Sequence, residues 1–511
     1  MLQNKGRKYT FLYWNQTNWI ALLCLRYVFR HFMQRKFINN LIFILFLNLL
    51  VKPFWILGID VAVQNRVGAE EYGLYAPIFS FAILLNIILD FGITNYNNRN
   101  IAQHSHMLRR YFSGIFNVKL ILGGIYLGVT LLFGLAFGYE GRAFWLLFVL
   151  GINQIMASMV LYLRSNISGL HLFKTEGILS IMDRVIMIGL CSILLWSGYF
   201  EGRFEIEWFV YAQFWAYFTT AIVAFVLVYA KAKFYKIKVD VVLFRVILKQ
   251  SLPFALLVLL MSFYYRLDSV MIERLLPDGR IQAGVYAQAY RLLEGFNMFG
   301  YLFAGLLLPI FSRMLKNKES VAKLVQTSFN LLFIPAVSIS VVSLLYSEEL
   351  MEILYLEHIG ESAEIFTVLM VSFIAIVLTY IYGTLLTANG SLKQLNIISV
   401  IGLVVNLVTN WILIPIYGAW GAAVATLGTQ FFVILAQIVI CKKLFKMHYE
   451  TTFIVKQVAL VTVGVIASIY TVSYFSDFRI HSIVIIAFFG LLALLLGLVN
   501  KNDVLKVLKK E

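Results

Sequence analysis

Proline and polar stretches are scarce: seven prolines occur in 511 residues, and charged residues make up 13% of the chain. That leaves no room for a sizeable soluble domain. Cysteine is rarer still. Cys24, Cys191 and Cys441 lie far apart, in or beside apolar segments, which excludes a disulfide framework and a thiolate metal site. The seven histidines are scattered, and the one close pair, His104 and His106, sits in a basic stretch where solvated side chains are expected. No GxxxxGK[ST] loop is present, so the chain should not hydrolyse ATP. No long polar loop holds a paired-carboxylate site. Catalytic residues, metals and cofactors are all expected to be absent, and the chain reads as a non-enzyme.

What is abundant is apolar material, 61% of residues against roughly half in soluble proteins. It comes in repeated runs near 20 residues, the length that crosses about 30 Å of hydrocarbon. From Phe37 the runs predict an all-α polytopic membrane protein of about fourteen spans, the first two near 37–59 and 74–96. The net charge of +16 suggests nucleic acid only until its placement is read. Thirty of the 42 basic residues fall in the N-terminus, the even-numbered loops and the C-terminus. The opposite connections hold only Arg66, Arg142, Arg203, Arg274, Arg280 and Arg479, and the ninth loop carries six glutamates without a Lys or Arg. Both termini are therefore expected on the cytoplasmic side. Nucleic acid is not an expected partner; membrane lipids are.

Two stretches repeat. "IDVAVQNRVGAEEYGLYAP" (Ile59 to Pro77) and "LDSVMIERLLPDGRIQAGVYAQ" (Leu267 to Gln288) each hold an Asp, a polar turn and Gly–x–Tyr–Ala opening a helix. They sit at equivalent points of two six-helix halves of the same topology, which predicts a pseudo-two-fold axis along the membrane normal. Pro53 and Pro253 are expected to bend the first span of each half. A further stretch, Asn406 to Gln430, reads as a helix end weakened by Pro415, a turn at Gly418 and Gly421, and a small-residue restart.

Charges inside spans cost about 3 kcal/mol each at mid-membrane on insertion scales, so each should be paired or face water. Lys119 and Arg184 fall roughly two turns in from the cytoplasmic side, and Lys52, Arg266 and Arg291 are placed in the outer half. Together they would suit a cationic cavity for a phosphate-bearing substrate. The competing assignment pairs Arg184 with Asp183, Arg266 with Asp268, and Arg291 with Glu294 one helical turn on. Asp60, Asp90 and Asp268 are candidates for proton or cation coupling, although Asp60 reads best as a helix-end residue bonded to backbone.

The phrases "VGAEEYGLYAPIFSF", "LDFGITNYNNRNIA", "RLDSVMIERLLPDGRIQAGVYAQAYRLLEGF" and "LIPIYGAWGAAVAT" resemble polysaccharide repeat-unit flippases of the Wzx type. These belong to the multidrug/oligosaccharidyl-lipid/polysaccharide exporter (MOP) superfamily. The resemblance covers about Phe37 to Val499. It implies two six-helix lobes around a central cavity with two appended helices. Its boundaries here would be an extension 1–36, an N-lobe 37–230, a basic inter-lobe loop 231–249, a C-lobe 250–441, two further helices 442–499 and a basic tail 500–511. Residues 1–32 depart from the pattern and read as an amphipathic extension or the product of an upstream start codon. The implied activity is translocation of undecaprenyl-pyrophosphate-linked oligosaccharide, of O-antigen or capsule type, across the bacterial inner membrane by ion-coupled alternating access. A polysaccharide polymerase and a chain-length regulator would be partners. Arg266, Asp268 and Arg291 lie inside matching motifs; Lys52, Lys119 and Arg184 rest on depth and charge. The alternatives are a drug/cation antiporter, a peptidoglycan-precursor flippase and, less favoured, a membrane polysaccharide polymerase.

Overall fold

The computed structural model describes residues 47–48, 50–198, 204–232, 241–447 and 450–499. The extension 1–36, Cys24, the middle of the basic inter-lobe segment and the tail 500–511 lie outside the described residues. A π-helical turn, Trp55–Asp60, leads into α1 (Val61–Leu84), α2 (Ile87–Asp90), α3 (Ile93–Gln103), α4 (Leu108–Ala136), α5 (Gly141–Gly169), α6 (Phe173–Trp196) and α7 (Ile206–Ala232). The second half runs α8 (Val241–Leu275), α9 (Gly279–Lys316), α10 (Ala322–Leu345), the short α11 (Ser347–Leu354), α12 (Ile359–Ala388) and α13 (Leu392–Leu444). Two more helices follow, α14 (Thr451–Thr471) and α15 (Phe478–Leu495), and no strand occurs among the described residues.

Eleven of these helices are long and apolar enough to cross a membrane. Two continuous runs each contain a hairpin. Within α1, Gly68 adopts φ 83° and ψ 170°, and the Tyr72 hydroxyl donates to Asp60 at 2.9 Å. Twelve residues of straight helix would separate them by about 18 Å, so the chain doubles back at Gly68. Within α13, Gly418 has φ 61° and ψ −143°, and a Cβ on Gly421 would lie 2.4 Å from the Leu413 carbonyl oxygen. With both hairpins counted as two crossings, the described helices accommodate the expected number of about fourteen.

The first span thus continues beyond Ile59, the end predicted for it. Gln64 and Asn65, whose polarity suggested a loop, are helical and donate to the Gly284 carbonyl at 2.9 Å and the Leu354 carbonyl at 2.7 Å. The second span breaks instead near its middle, where Phe91 and Gly92 are left-handed. Pro53 precedes the π turn at Trp55–Asp60, as expected where the ladder loses a donor. Pro253 lies within α8, which keeps its helix type.

One core cluster fills the first half, around Tyr72, Tyr75, Leu146 and Phe209. Another fills the second, around Tyr286, Phe366 and Phe373. A satellite cluster ties α14 and α15 to α10 through Phe453, Leu460, Ile485 and Phe489. Between the halves, contact concentrates where α1 meets α9 and α8. A Cβ on Gly73 would fall 1.7 Å from the Arg280 carbonyl oxygen, and one on Gly284 would fall 2.0 Å from that of Ala69. Each glycine abuts the carbonyl four residues before the other. Asn65 reaches the α11–α12 connection, while Glu273, in the matching register of the second repeat, accepts from Tyr139 in the α4–α5 connection at 2.8 Å. The repeat seen in the sequence is thus a pseudo-two-fold relation in space.

Candidate substrate and ion sites between the halves

Just inside the Gly68 hairpin, charges from the two halves meet. Arg291 Nε lies 2.7 Å from Asp60 Oδ2, and its Nε and Nη2 each donate to the Tyr72 hydroxyl at 3.1 Å. Arg291 Nη1 also reaches Glu294 Oε2 at 2.6 Å. The other Glu294 oxygen binds Arg266 Nη2 at 2.7 Å. Two guanidiniums therefore share one carboxylate of their own half, and the fourth charge is supplied by the opposite half. The Asp60 side chain is 4% exposed and that of Arg291 15%. Buried charges at this depth persist only when paired. A small cavity opens beside the pair, lined by Phe79, Ser80, Tyr265, Arg266, Tyr290 and Arg291.

Asp60 is therefore no helix-end residue bonded to backbone. It lies within a continuous span and bridges the halves, because the helix ends two turns later than its polar sequence suggested. Arg266 likewise does not pair with Asp268. Residues two apart on a helix point to different faces, and Arg266 turns to Glu294.

Asp268 is buried and surrounded by neutral donors. Its Oδ1 accepts from Asn410 at 2.7 Å and Asn406 at 3.2 Å. Its Oδ2 accepts from Tyr286 at 2.9 Å and from the Thr426 hydroxyl. No cation pairs with it among the described residues, and the buried Asn410 Oδ1 has no hydrogen-bond partner. The cage draws on α8, α9 and both arms of the α13 hairpin. Asn406, Asn410, Tyr286 and Thr426 escaped the sequence reading. Asn406 and Asn410 carried a signal, being amides one turn apart in an apolar helix.

Further from the Gly68 end of the first half, Arg184 packs with its guanidinium 5.6 Å from the Trp55 ring and 5.8 Å from that of Tyr217. Its contact with Asp183 is a loose 3.9 Å. Lys52 lies within electrostatic reach of Arg184 and Arg164 and of the carboxylates Asp183 and Glu176, Glu176 holding Arg164 at 2.5 Å. Asn48, one turn earlier, donates to Ser180 on α6 at 3.0 Å. Since Gly68 is sixteen residues on, about 24 Å along a helix, Lys52 lies toward the end of the bundle opposite Gly68. Asp60 is within reach of Arg184 as well as Arg291. A line of charges thus runs Lys52, Arg184, Asp60, Arg291, Arg266.

Lys119 stands apart from that line. It is buried and held by Asp90 at 2.7 Å and Ser158 at 2.8 Å. Asp90 also accepts from the Thr94 backbone and hydroxyl. The pair braces the break between α2 and α3. Among the described residues no group of His, Cys, Asp and Glu could hold a metal ion.

The model of the "Polysaccharide biosynthesis protein" family matches residues 37–315. Among solved structures, the chain is similar to the lipid II flippase MurJ in an inward closed conformation, at 12% identity and TM-score 0.67, over 89% of this chain and 98% of that one. It is also similar to an inward-facing MATE-family multidrug resistance transporter of the MOP superfamily, at 15% identity and TM-score 0.59, over 77% and 94%. A MOP transporter from Pyrococcus furiosus gives 16% identity and TM-score 0.53, over 79% and 96%. No curated protein sequence matches. The fold is that of these transporters, and with the family model spanning more than half of its length the chain belongs to the polysaccharide biosynthesis protein family.

Proposed function

We propose that this chain is a flippase of the MOP superfamily, carrying undecaprenyl-pyrophosphate-linked oligosaccharide repeat units, of O-antigen or capsule type, from the inner to the outer leaflet of the bacterial inner membrane. The observation that carries the reading is the Arg266–Glu294–Arg291–Asp60 cluster at the meeting of the halves. Separation of the halves there removes Asp60 from Arg291 and leaves two guanidiniums with one carboxylate. Guanidinium forks match phosphate oxygens bidentately. The inner-side cations Lys52, Arg164 and Arg184 would receive the pyrophosphate first, and rocking of the halves would pass it to Arg291 and Arg266 while the isoprenoid tail stays in lipid. A flippase for lipid II among the similar folds supports a lipid-linked cargo. The distribution of basic residues supports cytoplasmic termini, which makes the Gly68 end the outward face. Released repeat units would pass to a polymerase working with a chain-length regulator.

The test is a deletion strain. Surface polymer should be lost with lipid-linked repeat units held inside, and wild type should restore it while Arg266→Ala/Arg291→Ala does not. Unchanged polymer in a strain without a second such flippase would reject the cargo, and point to a small-molecule exporter.

The Asp268 cage is the proposed coupling site. A buried carboxylate held only by neutral donors, with an unpartnered amide oxygen beside it, has the oxygen chemistry of a site for a monovalent cation or proton. Asp268→Asn keeps the size and most hydrogen bonds while removing the charge. Transport by this variant in vesicles should lose its dependence on a sodium or proton gradient, with the protein still folded. Retention of full gradient dependence would rule the cage out.

A further inference from the structure

Away from the lobe interface, α10, α14 and α15 enclose a polar cleft of about 180 Å³ at the end of the bundle opposite Gly68. That is room for roughly a dozen waters at 10–15 Å³ each, in a region built from the ends of membrane-spanning helices. Its floor is fixed. Asn330 on α10 donates to the Leu498 carbonyl at 2.6 Å, and Gln457 on α14 donates to Asn330 at 2.6 Å, so one amide joins two helices and the turn that follows α15. Its walls carry Lys323, Gln326 and Thr327 from α10, and Thr452 and Lys456 from α14. Glu450 adds one carboxylate, which accepts from the Thr452 hydroxyl at 3.1 Å. The first turn of α14 has no side-chain cap, so its leading N–H groups add positive potential at the rim.

Gly497 shapes the opposite rim. It is left-handed at φ 64°, and a Cβ there would come 3.7 Å from the Lys456 ammonium. The Gly497 backbone and the Lys456 ammonium thus face each other at the edge of the cleft. Beside it, in the first turns of α14 and the last turn of α15, Ile454, Val455, Val458, Leu494 and Leu495 are exposed. A polar pocket with two lysines thus caps an apolar, lipid-facing strip.

From this juxtaposition we infer that the cleft is a binding site for the phosphate headgroup of an anionic membrane lipid, whose acyl chains lie along the exposed strip of α14 and α15. Basic pockets between helices at the membrane surface recognise lipid phosphates. A free phosphate shares the headgroup chemistry but gains nothing from the apolar strip, which favours the lipid. The site is separate from the charge line between the halves. Its leaflet assignment rests on the proposed orientation, whereas its existence does not.

The test uses the full-length protein in a zwitterionic detergent, titrated with phosphatidylglycerol, phosphatidylcholine or inorganic phosphate while its melting temperature is followed. Phosphatidylglycerol should raise the melting temperature, and phosphatidylcholine and phosphate should not. Lys323→Gln/Lys456→Gln should weaken the apparent affinity about tenfold or more, as expected for two basic residues at a lipid phosphate. Lys442→Gln/Lys443→Gln, which removes the same charge nearby, should leave it unchanged. If the cleft variant does not fold, Gln326→Glu should give the loss by adding a negative charge and sparing both lysines. Equal loss in both double variants would reduce the effect to general surface attraction and overturn the site. A shift with phosphate as large as that with the lipid would make it a soluble-anion site. Export of polymer is not the readout, so the outcome is independent of the proposed flipping.

Discussion

Gly73→Ala is expected to wedge the two halves apart at the Gly68 end. The added carbon would sit 1.7 Å from the Arg280 carbonyl oxygen, which belongs to the backbone of α9 and cannot swing away. Carbon–oxygen contacts settle at about 3.3–3.6 Å, so the helices must part by roughly 1.6 Å or more. Each half has its own core, so the chain should still fold. Spin labels at the exposed Glu70 and Asp278 should then report longer distances than in the parent protein, and transport should fall steeply because closure is incomplete. Unchanged distances together with normal transport would mean that the abutting glycines do not define the closed state.

The second large effect concerns Arg291. Replacing it with alanine leaves Asp60 buried with the Tyr72 hydroxyl and no cation at bonding distance. Removing one partner of a buried ion pair costs about 3–5 kcal/mol. The melting temperature of Arg291→Ala should drop accordingly. Adding Asp60→Asn removes the stranded charge and should recover most of the lost stability, whereas polymer export should stay absent because the guanidinium proposed to bind the cargo is still missing. A single variant as stable as the parent, or a double variant no better than the single, would show that the pair is not coupled across the halves.

Much of this architecture was legible in the chain. Runs of apolar residues at membrane length gave the spans, and two Gly–x–Tyr–Ala segments at matching points gave the symmetry. Gly418 was readable as a turn because Pro415 and a string of small residues frame it. Arg266, Arg291 and Asp268 stood out because charge inside an apolar run is expensive and must serve a purpose. Partner choice was another matter. Asp60 and Arg291 are remote in sequence and belong to different repeats, so no local spacing links them. Lys52 was placed too close to the end of its span because Gln64, Asn65 and Arg66 look like loop residues. Two of the three are instead helical amides bonded to the opposite half, and that compensation becomes visible only once the halves are docked. The Asp268 cage was missed for a related reason: its four donors come from three separate segments, and amides and hydroxyls carry no charge to flag them.

The contact made by Gly73 and Gly284 has the logic of a two-fold dimer, since the same patch of each half meets the other. In such an isologous interface positions act in reciprocal sets, here 73 with 280 and 284 with 69. Bulk gained at one member has to be given back at its mirror counterpart, whatever happens at the charges below. The joint is written in main-chain atoms, while the charge cluster beneath it is written in side chains. The side chains of the charge cluster can therefore change without disturbing the contact that joins the halves.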